Sequence, residues 1–266
     1  IHKIFKENNI STIYHLAAIL STKAESVPFL AHEVNVNGFL NLMEQVKNIK
    51  QPVKFFFPSS IAVYLIHDKN IGAINEEQFC NPNNMYGCNK LYCEKLGAYF
   101  SEFSRESSKF DFRSIRFSGI ISATTLPTGG TSDYASEIIH SAIQNKNYCC
   151  FVNKNSKIPF IAMPDAIDSI IKIMSADKKD LSQSVYHTKA FNPSVEEIFV
   201  KIKNKFPQFE LTYNINKERQ RLVDSWPSDI DDSKARKDWG WNTMYDFDKA
   251  FENYLIPEII KFYQEE

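Results

Sequence analysis

The chain has 266 residues, with 31 basic and 32 acidic side chains, a length that buries one substantial core or one core with a small appended lobe. The near-zero balance argues against a surface that binds nucleic acid by neutralising phosphates, and no apolar run approaches the roughly 20 residues that span a bilayer. Five cysteines, Cys80, Cys88, Cys93, Cys149 and Cys150, lack paired C-x-x-C spacing, so they signal neither a disulfide framework nor a zinc site and suit a soluble protein in a reducing compartment.

Residues 1–10 read as a helix, and "TIYHLA" (12–17) as a short apolar strand. A helical pattern over 28–47 runs through Phe29, Leu30, Val34, Leu40, Met43 and Val46, and "VKFFFP" (53–58) is a second strand. A loop with Gly72 and Pro82 leads to a helix over 84–105, and a third strand, "DFRSIRF" (111–117), is followed by a loop with Pro127 and the Gly129-Gly130 pair. Strands that are apolar throughout, separated by single helices, predict a parallel sheet covered on both faces, a doubly wound α/β fold. Beyond residue 130 the pattern is less regular. Helices are expected near 132–144, 164–175, 194–205 and 246–263, with short strands "YCCFV" and "SVYH" between them. This predicts a dinucleotide-binding part over 1–130, and a mixed part over 131–266 that completes the sheet and forms a smaller substrate lobe. Six singly placed histidines suggest no metal site.

The segment "MYGCNK" puts Tyr86 and Lys90 four residues apart on a helix, so both point the same way. A lysine ammonium beside a phenol favours the phenolate and makes it a base for an alcohol proton. The same spacing recurs at Tyr213 with Lys217 and at Tyr245 with Lys249, so spacing alone decides nothing. What distinguishes Tyr86 is "PSSIAVY" upstream, which places Ser59 and Ser60 at the C-terminal end of the second strand, where open parallel sheets bind ligands. Tyr213 and Tyr245 have no such strand end before them and are read as surface or packing residues.

In that order, "HLAA" (15–18), "NVNG" (35–38), "PSSIAVY" and "MYGCNK" resemble the extended short-chain dehydrogenase/reductase family, the NAD-dependent epimerases and dehydratases. "HLAAILSTKAE", "RFSGIIS", "PTGGTSDYA", "MPDAI" and "DSWPSDIDDSKARKDWGW" extend the resemblance to its L-threonine 3-dehydrogenase group. The resemblance implies a Rossmann-like fold and hydride transfer from C3 of L-threonine to NAD. It gives Tyr86 the role of base. Lys90 would tune Tyr86 and hold the nicotinamide ribose, Ser60 would bond the reacting oxygen, and Asn35 would complete a proton relay. By the same resemblance Ala17, Ala18, Ser59, Ser118, Gly119 and Ile120 belong to the nicotinamide half-site. Ser21, Thr131 and Asp133 surround the amino acid, and a homodimer forms through the helices at 28–47 and 84–105.

Three features depart from the family pattern. Leu65 stands where family loops carry glycine, and Ser118 where they carry proline. The third is larger. The first glycine is Gly38, so the glycine-rich phosphate loop expected ahead of this region, its flanking strand and helix, and the acidic residue for the adenosine ribose are missing from the sequence. The expectation is an N-terminally truncated Rossmann-like sheet with the 12–17 strand as an exposed apolar edge, and a chain inactive alone for want of a pyrophosphate cradle. A nucleotide-sugar epimerase or reductase of the same family, or a non-catalytic scaffold, are the competing readings.

Overall fold

A computed structural model describes residues 1–49, 51–103 and 109–265. In chain order its strands are β1 (Thr12–Tyr14), β2 (Val53–Ser60), β3 (Phe110–Phe117), β4 (Gly119–Ile121), β5 (Tyr148–Cys150), β6 (Phe160–Ala162), β7 (Val185–Thr188) and β8 (Leu211–Tyr213). The main sheet has the order β1-β2-β3-β7, and every pairing in it is parallel. Two small parallel pairs, β4 with β6 and β5 with β8, lie outside it. "SVYH" thus supplies the fourth strand of the main sheet. The strand expected over 12–17 is limited to Thr12–Tyr14, and it forms an edge of that sheet with Thr12 and Tyr14 exposed.

The run Phe55-Phe56-Phe57 explains why β2 is central. Phe55 and Phe57 face a layer built on Phe39, Cys93, Phe110 and Phe112. Phe56 faces the opposite layer with Ile115, Tyr186, Trp239 and Trp241. A strand with helices on both faces has no polar side to alternate with, and each fully buried Phe contributes roughly 2–3 kcal/mol of transfer free energy.

Helix Met85–Glu102 follows the expected span, and positions 104 and 105 of the predicted helix lie outside the described residues. Its start is fixed by Asn84, whose Oδ1 accepts from the Gly87 N–H at 2.7 Å while its Nδ2 donates to the Ala62 carbonyl at 3.1 Å. Gly87 permits that approach, since a Cβ there would lie 2.1 Å from the Ala62 oxygen. The expected helix over 28–47 is in fact three pieces: Pro28–His32, a π-helical turn Glu33–Asn37, and Gly38–Val46. The turn carries Asn35, whose side chain bonds to the backbone of Ile19, and single π turns of this kind gather at functional sites. The C-terminal helical span is interrupted in the same way by Ala250–Leu255.

Three helices, Lys217–Ser225, Ser233–Trp239 and Ser21–Ser26, are absent from the sequence reading. The first buries Leu222 and Val223 beside polar Gln220 and Ser225, too little apolar periodicity to register as amphipathic. Among the described residues no helix is long and apolar enough to cross a membrane.

Candidate active site

The C-terminal ends of β1, β2 and β3 open on a cavity of about 490 Å³. Ser59, Ser60, Tyr86 and Lys90 line one side of it, with Ala18 and Ser21, while Ser118, Gly119, Ile120, Thr131 and Asp133 line the rest. The folding reasons are local. Ser60 ends β2 and caps a short 3₁₀ turn, its Oγ accepting from the Ala62 N–H at 3.2 Å. Tyr86 and Lys90 occupy the first two turns of the capped helix. Gly119 lies where a Cβ would strike the Phe160 ring at 2.7 Å, so the chain leaves β3 hard against β6.

Lys90 is buried, and its Nζ donates to the Pro58 carbonyl at 2.7 Å while sitting 4.5 Å from the Phe57 ring centroid and 5.4 Å from that of Tyr86. Burial pulls its ammonium down to about 8. Burial also raises the Tyr86 phenol above the ordinary tyrosine range. This direction is opposite to the lowering expected from a neighbouring ammonium. With the ammonium spent on Pro58, desolvation decides the direction for Tyr86.

The far wall is held from inside the loop that forms it. Asp133 Oδ2 accepts from the N–H groups of Thr128, Gly129 and Gly130 at 2.9, 3.0 and 2.7 Å. Arg219 Nη2 donates to the Gly130 carbonyl at 2.5 Å. The Thr131 hydroxyl meets Ser21 at 3.2 Å and Thr22 at 3.3 Å across the mouth. Asp133 is therefore an organiser of its own turn as well as a charge at the cavity wall.

Two expected residues do not line the cavity. Ala17 is exposed and points elsewhere. Asn35 is buried behind the site, where its Oδ1 accepts from Ile19 N–H at 2.7 Å, and its Nδ2 donates to Ile19 O at 3.0 Å and to Asn89 Oδ1 at 3.4 Å. Lining residues that the sequence reading missed are Leu16, Leu20, Met163, Ile167, Ile170 and Trp226. "MPDAI" and "DSWP" signalled two of the segments, yet nothing in their spacing says which side chains turn inward. The comparison tyrosines lie elsewhere: Tyr213 is in β8 and reaches Glu196, and Tyr245 packs on Tyr254.

A parallel sheet whose strand ends bring Ser60, Tyr86 and Lys90 to one cavity suits the nicotinamide-dependent oxidoreductases and their epimerase and dehydratase kin. The chain belongs to the NAD-dependent epimerase/dehydratase family: the family model described as GDP-mannose 4,6 dehydratase matches residues 1–254. An uncharacterized epimerase/dehydratase of Staphylococcus haemolyticus is 38% identical over 88% of this chain and 72% of its own length. The mitochondrial L-threonine 3-dehydrogenase of Bos taurus is 32% identical over 98% of this chain. The chain spans 65% of that bovine relative. The solved structure of L-threonine 3-dehydrogenase from Trypanosoma brucei superposes with a TM-score of 0.90 at 34% identity, covering 99% of this chain and 79% of the other.

The residues present fit one end of NAD. Lys90 and the orphaned, buried Ser59 hydroxyl stand beside the apolar floor of Ala18 and Ile120, a setting for a nicotinamide ribose. For the pyrophosphate the fit fails among the described residues. The one cation that lines the cavity among them is Lys90, and the Gly129-Gly130 turn ahead of the helix Tyr134–Ile143, which does reach the cavity, has its N–H groups taken up by the Asp133 carboxylate.

Proposed function

We propose that the chain carries the substrate and nicotinamide half-sites of an NAD-dependent L-threonine 3-dehydrogenase. The observation that carries this reading is the convergence of Ser60, Tyr86 and Lys90 on one cavity whose opposite wall is Thr131 and Asp133. When bound, NAD supplies the acceptor for the hydride that leaves C3. Tyr86 takes the proton from the C3 hydroxyl, and Ser60 Oγ donates to the same oxygen as it becomes the carbonyl of 2-amino-3-oxobutanoate. Lys90 holds the cofactor ribose and adds positive charge behind the phenol. Asp133 draws the amino group by charge, and Thr131 and Ser21 offer hydroxyls to the carboxylate. Asn35 sits behind this set as the support of the Ile19 backbone.

The epimerase reading has support in the family model and in the staphylococcal relative. A nucleotide sugar, though, brings a diphosphate that wants cationic, preferably bidentate, partners, and Lys90 is the only cation that lines the cavity among the described residues. An amino acid needs only one carboxylate and one ammonium contact. We further propose that the chain alone binds NAD weakly and turns over little, and that it pairs with a second copy through exposed Phe29, Tyr92, Tyr99 and Phe103. The free cysteines suit a reducing compartment. The reading is tested, in the chain joined ahead of Ile1 to a phosphate-binding segment of a relative, by NADH formation from L-threonine against conversion of a UDP-hexose to its epimer, which regenerates NAD and is followed by product analysis, with Tyr86→Phe beside the parent. Activity on the sugar nucleotide and none on threonine would reverse the assignment.

A further inference from the structure

Tyr86, Lys90 and Glu94 stand at successive i, i+4 positions of one helix. The stripe runs from the cavity into the protein interior, where Glu94 is 1% exposed and Arg116 3% exposed. Arg116 Nε and Nη2 grip the two oxygens of Glu94 at 2.8 and 2.6 Å. Its Nη1 donates to the Tyr64 hydroxyl and to the Glu76 carbonyl, each at 2.6 Å. The Tyr64 hydroxyl meets His187 Nε2 at 2.5 Å, and His187 Nδ1 bonds the Asp231 carbonyl at 2.9 Å.

The placement of this network is informative. Tyr64 follows Ser60 by four residues, Glu94 shares the helix of Tyr86 and Lys90, and Arg116 precedes Ser118 by two. Each of the three segments that carry the candidate site is thus tied to the same guanidinium. A buried ion pair is in general a poor source of stability, and an apolar replacement of equal volume often does as well. Its place one helical turn from Lys90 suggests another role.

We propose that Glu94, held by Arg116, is a positioning residue of the candidate site: it supplies the negative charge behind the buried Lys90 ammonium and fixes the helix that bears Tyr86. The inference rests on reading Tyr86 and Lys90 as that site. The groups that face Lys90 are few. Its own helix offers Tyr86, Cys93 and Glu94, and the segment after β1 offers His15, which burial and the Lys90 charge hold at about 4 and therefore neutral. β2 offers the Phe57 ring and the Pro58 carbonyl. Glu94 is the one carboxylate among them, and after Cys93 it acts to raise Lys90 against the larger effect of burial.

The test is an NMR titration of lysine isotope-labelled at Cε, with Lys90→Arg and Lys69→Arg used for assignment, since both of these lysines are drawn to about 8. In Glu94→Gln the Lys90 midpoint should fall by about one to two units, the upper end being the size expected for a unit charge roughly 6 Å away at an effective dielectric near 20. The Lys69 midpoint should stay in place. If Glu94→Gln does not fold, the paired replacement of Glu94→Met with Arg116→Met keeps the packing, and a smaller fall in the same direction is expected, because the more distant Arg116 charge leaves with that of Glu94. A Lys90 midpoint that stays put in a folded variant, or that moves together with Lys69, overturns the proposal and leaves the pair a purely structural tie. Failure of the site reading is seen separately, as a Tyr86→Phe variant that keeps the parent rate of NADH formation from L-threonine.

Discussion

Replacing Gly87 by alanine tests how closely the Tyr86 helix must approach the end of β2. The added Cβ would stand 2.1 Å from the Ala62 oxygen, 2.9 Å from its carbon and 2.8 Å from Pro82 Cβ. The helix would have to retreat by more than an ångström, because two of the three obstacles are backbone atoms. The retreat also strains the 3.1 Å bond from Asn84 Nδ2 to the Ala62 carbonyl. Overpacking costs about 1–3 kcal/mol and a lost hydrogen bond about 1 kcal/mol, against a helix-propensity gain of about 1 kcal/mol for Ala over Gly. The net expectation is a loss of about 1–3 kcal/mol by the same principles. Gly38→Ala is the control. Gly38 has helical backbone angles, and its added Cβ meets no atom within 4 Å, so this change should stabilise by about 0.5–1 kcal/mol. Urea unfolding followed by fluorescence of Trp226, Trp239 and Trp241 measures both variants. Equal stability of the two would refute the close approach and with it the placement of Tyr86 beside Ser60.

Asn35→Ala should cost about 2 kcal/mol, because it strips partners from both the N–H and the carbonyl of Ile19; a thermal unfolding scan reads it, and a shift within error would show that the π turn does not depend on that side chain. Asp133→Ala removes the acceptor of three backbone N–H groups, so the loop after Pro127 should be cut faster by protease, and threonine should lose affinity more than the rate constant falls. His15 and His187 are drawn by burial to about 4 and about 3, below an ordinary 6.5. Between those values and 6.5 the unfolded chain binds more protons than the native one, so stability should fall as pH drops below about 6.5 and recover above it. Urea midpoints that are flat from neutral pH down to 4 would contradict this.

The strands that build the central layers were legible because a buried parallel strand needs apolar side chains on both faces, and the Phe55-Phe56-Phe57 run has them. Ser60, Tyr86 and Lys90 could be singled out because chain order, rather than spacing, separated Tyr86 from Tyr213 and Tyr245. The rest was hidden for identifiable reasons. The helix Lys217–Ser225 is held by an Asn216 cap and the buried Gln220 instead of an apolar stripe, so periodicity missed it. Arg116 and Glu94 are 22 residues apart in sequence and look like ordinary surface charges until β3 and the helix are brought together. The direction of the Tyr86 shift depends on where Lys90 Nζ turns, which no motif records. Ala17 and Ala18 are adjacent and alike in sequence, and only the bend after β1 decides that Ala18 faces the cavity.

The central claim is that Tyr86 is the base of a threonine-oxidising site, and the most direct measurement follows NADH formation from L-threonine. The chain should be joined, ahead of Ile1, to the strand, glycine-rich loop and helix of a threonine dehydrogenase relative, so that the pyrophosphate has its cradle. The account predicts NADH from threonine, a rate that rises with pH as a base that must be deprotonated requires, and a loss of at least about a hundredfold in Tyr86→Phe. A folded, NAD-binding protein that leaves threonine untouched, or whose Tyr86→Phe variant keeps the parent rate, would contradict it.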